Sequence, residues 1–184
     1  LFFTIVLSFA QIDAQEKAMW NKVSQEKVSR LERIKKTSYS ENQQFYTLNT
    51  NVLRKKLSVA KTQRSGLSNT VIEFPTVNGE FEKFQVWENS NFAPELQQKY
   101  PNIRAYVGRS ISNKTTTINF SLSPRGIQTM VLKADNSSEF IEPASKEGGF
   151  YILFDSKTRV TEKLPFVCKT IDKKINQDAL NRTQ

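Results

Sequence analysis

The chain has 184 residues, 27 Lys and Arg against 18 Asp and Glu, a net charge of +9, one Cys and no His. That length suits one domain with a real hydrophobic core. The absence of His excludes Ser-His-Asp and Cys-His catalytic sets and every His-bearing zinc site, a lone Cys excludes an internal disulfide framework, and no clustered acidic loop offers a carboxylate metal site, so this chain alone reads as no enzyme.

Leu1 to Ala10 (LFFTIVLSFA) is apolar except for Thr4 and Ser8. It is too short to span a bilayer and has the length of a signal-peptide apolar region. Small residues at Ser8 and Ala10 fit cleavage before Gln11, and Ala14 fits cleavage before Gln15. A basic region before it is missing, so residues 1–14 read as the remainder of a signal peptide on a secreted or cell-surface protein. A buried N-terminal strand is the alternative. After cleavage no stable membrane insertion is expected.

From Glu16 to Lys36, Trp20, Val23, Lys27, Leu31 and Ile34 recur at spacings of three and four. That period predicts an amphipathic helix packed outside the rest of the domain. Phe45-Tyr46-Thr47-Leu48 is a strand candidate. Val52, Leu53, Leu57 and Ala60 form a short helical stripe. Around it Arg54 to Arg64 is a basic run without an acid, which suits either an acidic partner surface or a solvated face.

From Val71 the pattern turns to β. Val71–Phe74 and Glu80–Glu88 read as a hairpin about Asn78-Gly79, where both residues tolerate positive φ. Phe81, Lys83, Gln85 and Trp87 share one face of the second strand. Ala93–Tyr100 reads as one or two helical turns between Pro94 and Pro101. Ile103–Gly108, Thr115–Leu122, Ile127–Lys133 and Phe140–Pro143 read as further strands, with a turn at Ser123-Pro124-Arg125-Gly126. Phe150–Phe154 is apolar on both faces and so reads as a central strand. Ile118, Phe120, Leu122, Ile152 and Phe154 are the core choices. The fold class is mainly β, an antiparallel sheet or sandwich, with the N-terminal helix and a short second helix, α+β overall. The organisation is a signal peptide at 1–14, a helical segment at 15–64, a β-rich core at 65–155 and an extended or disordered tail at 156–184.

Several blocks carry a family resemblance. Val71-Ile72-Glu73-Phe74-Pro75, Asn78-Gly79 and Phe84-Gln85-Val86-Trp87-Glu88-Asn89-Ser90 come first. The continuous run from Phe92-Ala93-Pro94-Glu95-Leu96 to Tyr106-Val107-Gly108 is the most specific. Phe120–Ile127 and Ile141-Glu142-Pro143 follow in order. Over roughly Phe45 to Cys168 the chain resembles the N-terminal pro-region of secreted reprolysin-type (adamalysin-like) zinc metalloproteases of Bacteroidetes-like bacteria. The resemblance implies a zymogen whose own catalytic domain, following in cis and absent from this sequence, is the partner. The zinc belongs to that domain, and this chain needs no cofactor itself.

The resemblance also implies a role for Cys168 as the latency ligand to that zinc. Pro165-Phe166-Val167-Cys168 matches part of the family's latency motif, with Lys169 where a glycine often follows. A catalytic zinc keeps a position open for water, and a thiolate at about 2.3 Å fills it. Lys163 and Lys169 favour the thiolate. The other reading of Cys168 is a buried free thiol. From a different class, a free-standing secreted β-domain would bind glycan or protein through Tyr100, Tyr106, Trp87 and Phe92. Nucleic acid is not an expected partner, because aromatic residues do not interleave with the densest basic run. Asn113-Lys114-Thr115, Asn136-Ser137-Ser138 and Asn181-Arg182-Thr183 match glycosylation sequons, whose use is not expected in a bacterium.

Overall fold

A computed structural model of the chain describes residues 18–31, 43–90, 92–144 and 149–158. The apolar segment 1–10, both signal-cleavage candidates, the sequon at Asn181 and Cys168 lie outside the described residues.

Nine strands form one antiparallel sheet: β1 (Trp20–Val23), β2 (Gln44–Leu48), β3 (Val71–Pro75), β4 (Phe81–Glu88), β5 (Arg104–Ser110), β6 (Thr117–Ser123), β7 (Gly126–Leu132), β8 (Ser138–Pro143) and β9 (Phe150–Asp155). Their order is β1-β2-β9-β8-β7-β6-β5-β4-β3. Thus β3 to β9 form an uninterrupted meander, and the β1–β2 pair extends it beyond β9. Of the two arrangements expected, sheet or sandwich, one curled sheet is observed. The apolar β9 lies between β2 and β8, as its two-faced pattern requires.

Short helices decorate the sheet: α1 (Gln25–Leu31), α2 (Thr50–Leu57) and α3 (Pro94–Lys99). The expected helix over 16–36 is corrected at its start, because Trp20–Val23 is a strand paired with Phe45–Leu48. Pairing satisfies that backbone, and Trp20 enters the core at 5% exposure, a gain that outweighs local helical periodicity. Asn49 caps α2 by accepting from the Val52 amide at 3.3 Å, and Leu53 and Leu57 are buried.

Period-2 alternation divides the sheet into two faces. The concave face packs Trp20, Tyr46, Phe74, Phe84, Tyr106, Phe120, Tyr151 and aliphatic neighbours into one core, closed by Leu53 and Leu57 of α2. Ring contacts run through it: Trp20–Tyr151 at 5.8 Å, Phe74–Phe120 at 5.2 Å and Tyr106–Phe120 stacked at 4.9 Å. The curl is strong enough that side chains join opposite ends of the sheet.

Turn chemistry sets the hairpins. At Thr76–Glu80 the Gly79 amide donates to Thr76 O and the Thr76 amide to Glu80 O, both at 2.9 Å. The hairpin turns at Asn78-Gly79 as expected, but only Gly79, at φ 86°, takes positive φ and Asn78 does not, and the connection is a three-residue turn, Val77 to Gly79. The β7–β8 turn repeats the pattern, with Asn136 at φ 60° in the glycine's place. Between β6 and β7, Gly126 at φ 109° also makes room for Tyr151, whose hydroxyl would lie 2.3 Å from an added Cβ.

Candidate functional site

The concave side of the sheet is filled by its own side chains, so the surface able to meet another molecule is the convex face. The β2–β9–β8 part of that face is already covered. Val28 of α1 is fully buried there, in a second core with Phe45, Ile152 and Phe154, and Phe140 stacks on Phe154 at 5.4 Å.

Beyond Phe140 the cover ends. Phe140 opposes Met130, Met130 opposes Asn119, Asn119 opposes Val107 and Val107 opposes Trp87. Directly opposed residues in successive ladders share a face, so these five side chains form one row across β8, β7, β6, β5 and β4. Asn119 is exposed in the middle of an otherwise apolar row, and Met130 is 40% exposed. The next row carries Leu132, Thr117, Arg109 and Gln85.

Two depressions lie along the first row. One, of about 400 Å³, is lined by Trp87, Gln63, Gly66, Val107, Arg109, Thr117 and Asn119 among others. The second, of about 370 Å³, is lined by Val107, Asn119, Met130, Phe140, Gln128 and Glu142 among others. They share Val107 and Asn119, so together they make one shallow groove from Trp87 to Phe140. The Trp87 ring is held by its Nε1–H, which donates to Gly66 O at 2.7 Å. On the opposite face, the Tyr106 side of the sheet, Arg104 Nη1 and Glu88 Oε1 form an ion pair at 2.6 Å.

The four aromatic residues expected to share a binding surface are separated. Tyr106 faces the interior, where burial, then the nearby Glu88 carboxylate, push its hydroxyl pKa up to about 12. Tyr100 is on the surface with the Lys99 ammonium 5.7 Å from its ring centroid, and Phe92 is half-buried. Only Trp87 of the four lines the groove. The basic run does not form a uniform patch either: Arg54 is half-buried and donates to Ser123 O at 3.3 Å, while Lys55, Lys56 and Lys61 are exposed. Met130, Phe140, Val107 and Asn119 had no signal in the linear sequence, because what joins them is cross-strand register.

A polar chain lies where the β3–β4 turn meets the rest of the sheet. Glu139, 1% exposed, receives the Lys133 ammonium on one oxygen and the Val77 amide, at 3.3 Å, on the other. Gln44 Nε2 donates to Val77 O at 2.5 Å, and the Tyr46 hydroxyl donates to Gln44 Oε1 at 2.9 Å. Every member has a partner within the domain, so the chain serves as a structural tie.

Among the described residues no group of three or more His, Cys, Asp or Glu stands where it would hold a metal ion, and no helix is long and apolar enough to cross a membrane. Comparisons with protein-family models, curated proteins and solved structures give no match to this chain.

Proposed function

We propose that this chain is the non-catalytic pro-region of a secreted reprolysin-type zinc metalloprotease, acting as folding aid and latency inhibitor. The sequence blocks that resemble such pro-regions support it. The observation that carries it is the division of labour in the fold. The interior is occupied by side chains, the open convex face offers a surface, and the last strand, β9, ends at Asp155, ahead of Cys168 in the chain. A folded platform followed in the chain by a single cysteine suits an inhibitor that docks and then brings a thiolate to the partner's zinc, displacing the water needed for hydrolysis.

The test adds the full chain to the metzincin catalytic domain that this reading expects in cis and measures peptide hydrolysis. Inhibition that Cys168→Ser weakens at least tenfold supports the latency role. Equal inhibition by both forms assigns the effect to cleft blocking, and no inhibition by either removes the inhibitory reading.

The fixed Trp87 ring favours a second reading, a surface domain that holds a sugar ring over the indole with Gln63, Arg109 and Asn119 as polar partners. Binding on a glycan array that Trp87→Ala abolishes would support it.

A further inference from the structure

We propose that the depression at Trp87 takes an acidic sugar, a hexuronic acid residue whose carboxylate pairs with Arg109 while its ring lies against the indole. The inference rests on the second reading above, a surface domain that holds a glycan, and names its ligand.

The position of the depression decides how a ligand is held. Its floor is Val107, Arg109, Thr117 and Asn119, on β5 and β6. Both strands are paired on either side, β5 by β4 and β6, and β6 by β5 and β7. Their backbone donors and acceptors are spent in the sheet, so no peptide can add to it here as a strand. A ligand is read by side chains, and the polar ones available are the amides of Gln63 and Asn119, the Thr117 hydroxyl and the Arg109 guanidinium. Amides and a hydroxyl beside an aromatic ring match a ligand rich in hydroxyl groups.

The wall is fixed in advance. The Glu88 amide donates to Lys61 O at 2.9 Å and Thr62 bridges to Glu88, which ties the segment bearing Gln63 to β4. Within that segment the Ser65 amide donates to Thr62 O at 2.9 Å. The Trp87 Nε1–H is already engaged with Gly66 O. The indole therefore offers a ligand its ring rather than its donor, and the site loses little freedom on binding.

Charge selects the acid. Arg109 is exposed, none of the residues lining this depression is acidic, and among the described residues no carboxylate pairs with Arg109. Glu73, on the same face, is taken by Lys83 at 3.3 Å, and Glu142 lines the other depression. Trp87 opposes Val107 and Gln85 opposes Arg109, so the indole and the guanidinium are diagonal neighbours across β4 and β5, with Cα atoms about 7–8 Å apart. One sugar ring with its carboxylate bridges that spacing, and the guanidinium fork matches a planar carboxylate with two parallel hydrogen bonds. A single cation suits one carboxylate on a ring, whereas a nucleic acid backbone calls for several.

The full chain is titrated calorimetrically with trisaccharides of galacturonate, glucuronate and mannuronate, each beside its carboxyl-reduced neutral form. The expected result is that at least one acid form binds at least tenfold more tightly than its neutral form. Arg109→Gln, at an exposed position, should cut that preference to twofold or less while weaker binding of the neutral form persists. Lys55→Gln on α2 removes the same charge elsewhere and should leave the preference intact. Circular dichroism checks that each variant keeps the sheet. Acid and neutral forms that bind alike, with loss of both in Trp87→Ala, overturn the inference and leave the glycan reading standing. A preference that survives Arg109→Gln overturns it, and so does one lost equally with Lys55→Gln, which would make it an effect of net charge. No binding of any of these sugars also overturns it, and a glycan array without binding removes the glycan reading as well.

Discussion

The Nε1–H of Trp20, on the edge strand β1, donates to the carbonyl oxygen of Glu73 on the opposite edge strand β3, at 3.0 Å. The two edges do not pair as strands. They are joined by this bond and by the packing of Trp20 against Phe74, ring centroids 6.2 Å apart. One side chain thus ties the ends of a nine-stranded sheet and shields a carbonyl that an open edge would expose.

Trp20→Ala should therefore cost about 3–5 kcal/mol, the range for large aromatic truncations in a core. Trp20→Phe keeps most of the packing and loses the bond, so about 1 kcal/mol is expected. Urea unfolding curves check both. Equal costs would show that the hydrogen bond, not the buried ring, dominates.

Gly126 faces two constraints, positive φ and the Tyr151 hydroxyl, whereas Gly79 has positive φ and open space around its Cβ position. Gly79→Ala should cost about 1–2 kcal/mol from backbone strain alone. Gly126→Ala should cost more, and Tyr151→Phe in the same chain should return part of the excess by removing the crowded oxygen. Denaturation midpoints of the three variants test this; equal costs at Gly79 and Gly126 would exclude crowding.

Much of the sheet was legible in residue alternation. The pattern of Thr115–Leu122 locates β6, and alternation in β4 separates Trp87 from Phe84 and Val86, the face that the structure buries. All five core choices are buried, yet they divide between the two faces: Ile118, Phe120 and Leu122 lie in the concave core, Ile152 and Phe154 under α1. Trp20 misled because a spacing of three fits a helix as well as an edge strand running into one. The groove was not legible, since Trp87, Val107, Asn119, Met130 and Phe140 are brought together only by the register of four ladders.

Tyr106, Tyr46 and Tyr151 are held neutral by burial, with hydroxyl pKa values above the ordinary one near 10. Their ionisation is easier in the unfolded chain, so at alkaline pH the folded state retains more protons. Their contribution to stability is complete below about pH 10 and falls as pH rises from there toward the Tyr106 value of about 12. Alkaline unfolding should start in that window, with a sharp rise in tyrosinate absorbance coincident with loss of β circular dichroism. A Tyr106→Phe variant should shift the midpoint upward. Smooth tyrosine titration with no structural change would contradict the burial argument.

The Lys133–Glu139 pair should show an asymmetric response. The Lys133 side chain is 25% exposed and Glu139 1%, so an orphaned lysine can reach water while an orphaned carboxylate cannot. Lys133→Met should therefore cost about 3–5 kcal/mol, the range for stranding a buried charge. Glu139→Gln keeps an oxygen for the Val77 amide and should cost about 1–3 kcal/mol. The double variant leaves neither charge behind and should cost clearly less than the two single costs combined. Because Val77 also accepts from Gln44, the tie at the β3–β4 turn should survive in the double variant and be visible as slow exchange of the Val77 amide. Additive costs across the cycle would show that the two side chains act independently, and the pair would then not be what holds this turn to β8.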